Sequence, residues 1–145
     1  GAPLEKNEFH LVVLAILVNA EGKVLLTKRS RQKYAAGKWE CTAGSVLSGE
    51  NSRDAIRREV IEEVGIDVCF TGAPFTGYIE ETALFDRWTA RIDCTLNDLV
   101  LQAVEVDAAR FATLEEFSNL ITAGHATVSL GEVARLARAG LVLIR

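Results

Sequence analysis

Residues Gly44–Ile66 read GSVLSGENSRDAIRREVIEEVGI. The middle of this stretch carries the signals of a helix. Asn51 or Ser52 suits an N-cap, because such side chains accept hydrogen bonds from the unpaired N–H groups of a first turn. Asp54 follows in that turn, where the helix dipole favours an anion. Gly65 is a natural stop, since glycine readily takes the left-handed conformation that ends helices. On a helical wheel Ile56, Val60 and Val64 form an i, i+4, i+8 apolar stripe, in one sector with Arg53 and Arg57. Glu59, Glu62 and Glu63 fill the adjoining sector, so three carboxylates project from one side of one helix.

For stability alone this is a poor arrangement. Like charges at i, i+4 destabilise a helix by a few tenths of a kcal/mol. Carboxylates in the last turns also face the negative end of the dipole, where cations are preferred. Arg58 offsets part of the cost through an i, i+4 contact with Glu62. A solvated acidic face is the plain reading of such a cluster. A site for a hard, oxygen-seeking ion such as magnesium or manganese is the functional one.

The wider spacing decides between them. The chain runs Gly44-x5-Glu50-x7-Arg58-Glu59-Val60-x-Glu62-Glu63-x-Gly65-Ile66. Ordinary residue usage gives this set of fixed and apolar positions a chance on the order of 10⁻⁹ per starting residue. The stretch resembles the 23-residue box of the Nudix hydrolase superfamily, with every fixed position filled. The flanks agree. Lys28-Arg29-Ser30 and Gly37-Lys38-Trp39-Glu40 before the box, and Glu105 to Phe117 after it, resemble bacterial Nudix proteins, so the likeness runs from Phe9 to about Gly124.

The resemblance implies an α/β/α sandwich around a mixed sheet, with the box as a loop–helix–loop. It implies hydrolysis of a nucleoside diphosphate linked to another moiety X, by water attack on phosphorus, with Mg2+ as cofactor and Mn2+ as the alternative. The physics fits: a diphosphate is densely negative, and an ion bridging carboxylates and phosphate oxygens reverses the repulsion. By the motif match Glu59 and Glu63 are the leading metal ligands. Glu62 is a third, direct or through water, and the backbone carbonyl of Ala43 completes the shell. Arg58 and Glu50 are expected as an internal salt bridge that orients helix and loop. Gly44 and Gly65 permit backbone conformations that a side chain would hinder. The general base varies in the family. Here the candidates are Glu59, then Glu105, then the pair Glu80 and Glu81. Glu105 stands alone, with Ala103 and Val104 before it, which weakens any expectation of extra metal there.

Outward from the box the chain reads as one domain over residues 1–145, with 1–8 a flexible start or an expression remnant. Leu11–Val18 is a continuous apolar run, as in a strand buried on both faces. Asn19–Lys23 is turn chemistry, and Val24–Thr27 closes a hairpin. Lys28–Lys38 is a basic loop able to receive distal phosphates, with Arg29 the leading substrate contact. Trp39–Val46 reads as an extended piece broken at Gly44. After the helix, Ile66–Phe70, Gly77–Glu80, Leu84–Leu96 and Val104–Ala112 read as strands. Capping boxes at Thr113-x-x-Glu116 and Ser129-x-x-Glu132 open helices reaching about Ala123 and Ala139. The order gives an α+β, or mixed α/β, class.

Composition narrows the function. With 16 Lys and Arg against 20 Asp and Glu the net charge is −4, a poor basis for binding nucleic acid or anionic membrane. The longest apolar run has eight residues, against about 20 for a membrane helix. Cys41, Cys69 and Cys94 are odd in number and lack CxxC spacing, so a reducing, cytoplasmic setting is expected rather than a disulfide framework. His10 and His125 are taken as structural, since two histidines are a thin basis for a zinc site. Tyr34, Trp39, Tyr78, Phe85 and Trp88 are available for base stacking or for packing. The expected partner is a small diphosphate, with a homodimer left open.

Two other functions are weighed. An isopentenyl-diphosphate isomerase of this fold needs a cysteine a few residues after the tryptophan; counted from Trp39 that position is Gly44, and Cys41 comes too early. A non-catalytic nucleotide-binding module is expected to have lost box glutamates, and here none is substituted.

Overall fold

The structure, a computed structural model, describes residues 10–78 and 83–145. Strand β1 (His10–Val18) is its spine. Val13, Ala15 and Leu17 face one core and Leu14, Ile16 and Val18 the other. Alternate side chains of a strand point to opposite faces, so a strand covered on both must be apolar throughout. That is why residues 11–18 carry no polar position.

Strands β2 (Val24–Arg29), β3 (Trp39–Glu40), β4 (Ala43–Ser45), β5 (Phe75–Tyr78), β6 (Ala83–Arg91) and β7 (Val106–Ala112) complete a mixed sheet. Its order is β3-β2-β1-β6-β5, with β4 also on β1 and β7 on β2. β1 and β6 run parallel from His10↔Ala83 to Val18↔Arg91, and the other pairs are antiparallel. Helix α1 (Ser52–Val64) covers one face through Ala55, Ile56, Val60 and Val64. Helices α2 (Leu114–Thr122) and α3 (Val128–Arg138) cover the other through Phe117, Leu130, Val133 and Leu136. This is the expected α+β sandwich. Among the described residues no helix is long and apolar enough to cross a membrane.

The β1–β2 hairpin closes as expected, with Asn19 Oδ1 accepting from Glu21 N and Lys23 N at 3.1 and 3.0 Å. Several element readings need correction. Ile66–Phe70 joins no ladder. Its alternation is real, but it buries Val68 and Phe70 on the α1-side core while both edges of β6 are already taken by β1 and β5. The Leu84–Leu96 strand stops at Arg91, opposite the end of β1, and a 3-10 turn follows at Leu96–Asp98. The 104–112 strand begins at Val106, because Glu105 and Val106 both donate N–H to Gln102 O in a turn. The break in Trp39–Val46 falls at Cys41-Thr42, and Gly44 lies inside β4. Helix α3 starts two residues early, with Thr127 as N-cap, and Glu132 bonds Arg135 rather than closing a box on Ser129. The strand expected at Gly77–Glu80 is β5, at Phe75–Tyr78; its expected end, with Glu80 and Glu81, lies outside the described residues.

Candidate active site

Helix α1 is fixed at both ends by its own sequence. Asn51 Oδ1 accepts from Asp54 N at 2.8 Å. Gly65 has φ +75° and donates to Ile61 O, and a Cβ there would meet Val100 Cβ at 2.8 Å. Chain direction and side-chain volume therefore both call for glycine at 65. The apolar stripe seats α1 on β1, which turns its glutamates toward β4 and the 99–105 segment. That segment is tied to the helix end by Val100 N to Val64 O and Gln102 N to Glu63 O, both 3.0 Å.

Arg58 is the hub of the helix surface. Its Nε and Nη2 fork onto the two oxygens of Glu50 at 2.8 and 3.0 Å, and Nη2 also reaches Ser45 O at 3.1 Å. Its Nη1 donates to Glu59 Oε1 at 2.9 Å and Glu62 Oε2 at 3.2 Å. Glu50 is tied to its own loop by Leu47 N. The expected Glu50–Arg58 bridge is present, and it locks the loop after β4 to the helix. A planar guanidinium can hold four acceptors in one geometry where an ammonium cannot.

The three box glutamates differ sharply in setting. The Glu62 side chain is 48% exposed and that of Glu59 14%. Glu63 is 6% exposed, its Oε2 has no hydrogen-bond partner, and it makes no ion pair among the described residues. Burial, then the charges of Glu59, Glu40 and Glu105, push the Glu63 carboxyl up to about 8, against a smaller lowering by Lys33. Glu59 is also raised by burial, with Arg58 opposing. Its carboxylate lies on the backbone of Gly44: a Cβ built at 44 would stand 2.1 Å from Glu59 Cδ.

Ala43 faces Leu14 in the β1–β4 ladder, and Ala15 N donates to Thr42 O at 2.8 Å. That register makes Ala43–Leu14 a non-hydrogen-bonded pair, which leaves the Ala43 carbonyl out of the ladder. A buried carboxylate oxygen without a partner, a second carboxylate lying on Gly44 and the free carbonyl of the residue before that glycine are donors suited to a hard divalent ion. Among the described residues no three His, Cys, Asp or Glu side chains stand already gathered around one point. Arg58 keeps Glu59 and Glu62 turned to itself.

Glu105 occupies the turn before β7, and Lys33 Nζ pairs with its Oε2. Ser30 secures the same place, its N–H on Glu105 O at 3.1 Å and its Oγ on Val104 O at 2.6 Å. Residue spacing gave no reason to single out Glu40, yet it belongs here. It is 9% exposed, receives both its hydrogen bonds from Arg29 Nη1 at 2.8 and 3.2 Å, and is raised by burial. The signal was its place in the Gly37-Lys38-Trp39-Glu40 flank, which gave it no role.

A cavity of about 550 Å3 opens beside this cluster. Arg29, Lys33 and Lys38 supply cations, Phe85 an aromatic wall, and Ala43 and Gly44 also line it. Gly44 is shared, lining the cavity and touching Glu59. Arg29 is therefore where a substrate contact was expected, but its guanidinium is engaged by Glu40 and by Tyr34 O, the latter at 2.8 Å from Nε. Of the aromatics, Tyr34 and Phe85 line the cavity. Trp88 is core, donating to Ser52 Oγ at 2.8 Å, and Trp39 lies under Arg110. Tyr78 is exposed at the end of β5. His10 opens β1, and His125 ties the α2–α3 turn to β3 through Trp39 N to His125 O. Cys41 is fully buried, with its thiol pushed up to about 12 by burial and Glu40, a state without nucleophilic or acid–base use.

A family model described as NUDIX domain matches residues 8–129. An uncharacterized Nudix hydrolase of Listeria monocytogenes is 41% identical over 128 residues, spanning 86% of this chain and 75% of its own length. Two solved structures share the fold. One from Deinococcus radiodurans has a TM-score of 0.76 at 23% identity, over 90% of this chain and 85% of that one. A MutT protein from Methanosarcina mazei has 0.75 at 21% identity, over 94% and 99%.

Proposed function

Since the chain belongs to the NUDIX family and is a Nudix hydrolase by descent, we propose that it cleaves the diphosphate of a nucleoside diphosphate derivative by water attack on phosphorus, with magnesium or manganese bound at the box glutamates. The buried, partnerless Oε2 of Glu63 carries this reading. An isolated carboxylate taken out of water costs several kcal/mol unless it is protonated or paired, and a hydrolase that needs a cation there gains from leaving it unpaired.

Glu63 and Glu59 are the ligands in this account, with the Ala43 carbonyl beside them and Glu62 acting through water from its exposed position. When bound, the divalent ion lends positive charge to the phosphate oxygens and makes nearby water a stronger nucleophile. Arg58 and Glu50 position Glu59 and the β4 loop. Gly44 leaves the space that the Glu59 carboxylate fills. Glu59 is the first candidate for general base and Glu105 the second. Arg29 and the basic loop attract the phosphate end of the substrate from a chain that is otherwise acidic.

A cavity of about 550 Å3 falls within the usual size range of small-molecule sites. We take X to be small, so that a sugar nucleotide or simple nucleoside diphosphate is the preferred class, with Phe85 or Tyr34 against the base or sugar. A reducing cytoplasmic setting accords with three free thiols. The test is a turnover screen in magnesium across nucleoside triphosphates, ADP-ribose, nucleotide sugars and dinucleoside polyphosphates. Cleavage of one class, lost in Glu63→Gln, is the expected result. A folded, metal-binding protein that cleaves none of them would instead be a nucleotide-binding module.

A further inference from the structure

Of Glu40, Glu59, Glu63 and Glu105, three are each ion-paired to a cation among the described residues. Glu59 is held by Arg58, Glu40 by Arg29 and Glu105 by Lys33, while Glu63 is left without one. The three cations are not held alike. Arg58 is fixed by Glu50 and Ser45 O besides Glu59. Arg29 spans both oxygens of Glu40 and the Tyr34 carbonyl. Among the described residues Lys33 Nζ has one hydrogen-bond partner, Glu105 Oε2, and Lys33 lines the cavity. An ammonium is a point charge on a flexible stem, so one contact leaves it free to swing.

We propose that Lys33 is a mobile counter-ion, neutralising Glu105 in the metal-free chain and moving to the substrate's diphosphate once a divalent ion enters beside Glu63. The proposal rests on the metal-dependent reading above and goes beyond it in giving Lys33 two alternating partners. Its position supports this. Ser30 N and Oγ and Arg31 N hold the start of the loop to residues 104–107, which keeps Lys33 within reach of the cluster. Its charge is felt at both Glu63 and Glu40. An entering dication adds positive charge beside Glu63, so the least-held neighbouring cation is the one displaced. Freed in the cavity, it faces the incoming phosphates and uncovers Glu105. Lys33 is thus a positioning residue for Glu105 and a binding residue for the substrate.

The test is Mn2+ binding, followed by electron paramagnetic resonance at fixed pH, in wild type, Lys33→Met and Lys38→Met. Lys38 lines the same cavity but, among the described residues, donates to the Gly124 carbonyl and to no carboxylate, so it controls for simple loss of charge. Lys33→Met is expected to bind Mn2+ about three- to tenfold more tightly, the effect of removing one nearby, partly screened charge, with Lys38→Met close to wild type. With Mn2+ saturating, Lys33→Met is expected to bind methylene diphosphonate several-fold more weakly, and Lys33→Arg to recover part of that loss. Opposite signs for metal and diphosphate are the signature, since a merely structural lysine would weaken both. Mn2+ affinity equal to or below wild type in folded Lys33→Met overturns the proposal while leaving the hydrolase reading intact. A wild type that binds no Mn2+ overturns both.

Discussion

The carboxylate of Glu59 rests on the backbone of Gly44, in the space where any other residue would place its Cβ, 2.1 Å from Glu59 Cδ. The glycine is required by this approach and by nothing in its own backbone, which lies within strand β4. Gly44→Ala is therefore expected to fold and to displace Glu59. A shift of about 1 Å at a reacting centre can cost roughly 10²-fold in rate, so kcat/KM should fall by about that factor. Steady-state kinetics with a thermal melt on the same sample checks it.

Arg58 serves four acceptors from one plane, and Lys cannot reproduce the fork. Arg58→Lys keeps the charge but frees Glu50 and the β4 loop. Partners that orient metal ligands are worth about ten- to a hundredfold in affinity or activity, and a loss in that range is expected. Metal titration alongside kinetics separates the two contributions.

Glu62 and Glu63 are neighbours with unequal settings, 48% and 6% exposed. Glu63→Gln should abolish metal-dependent turnover. Glu62→Gln should retain measurable activity with a raised metal requirement, because a solvated ligand is replaced by water at small cost. A magnesium titration of kcat in both variants makes the comparison.

Glu63 also gives the metal-free chain a pH dependence. Its carboxyl is raised from 4.5 to about 8 by folding, so the folded chain holds a proton that the unfolded chain has lost. Stability in EDTA should then fall as pH rises through that window, by an amount on the order of a few kcal/mol. Magnesium competes with this proton, so the stabilisation it confers should grow toward pH 8 and level off above it. Melts from pH 5 to 9 with EDTA or magnesium test both slopes, and Glu63→Gln should flatten the first.

What the sequence discloses and what it withholds divide along contact range. Helix α1, its Asn51 cap, its Gly65 stop and the Glu50–Arg58 bridge were legible because they depend on residues within one short stretch. Strand β1 was legible because burial on both faces leaves an unbroken apolar run. Ile66–Phe70 misled, since alternation reports burial of Val68 and Phe70 and is silent on whether a strand edge is available. Ser129 misled for a different reason: Thr127, two residues earlier, offers an equally good cap, and only the tertiary placement of Thr127 N on Trp39 O chooses between them. Glu40 could not be picked out, because its role depends on Arg29 arriving from β2 through the Thr27↔Glu40 register. The Lys33–Glu105 pair joins residues 72 positions apart, beyond any local pattern.

The central claim is water attack on a diphosphate at the Glu59–Glu63 centre. Its most direct measurement is phosphorus-31 NMR of the reaction in 18O-enriched water with magnesium, across nucleoside diphosphate derivatives. The account predicts cleavage of at least one of them with 18O on a phosphate product, abolished by EDTA and by Glu63→Gln. No cleavage by folded, metal-loaded protein, or cleavage that persists undiminished in Glu63→Gln, would contradict it.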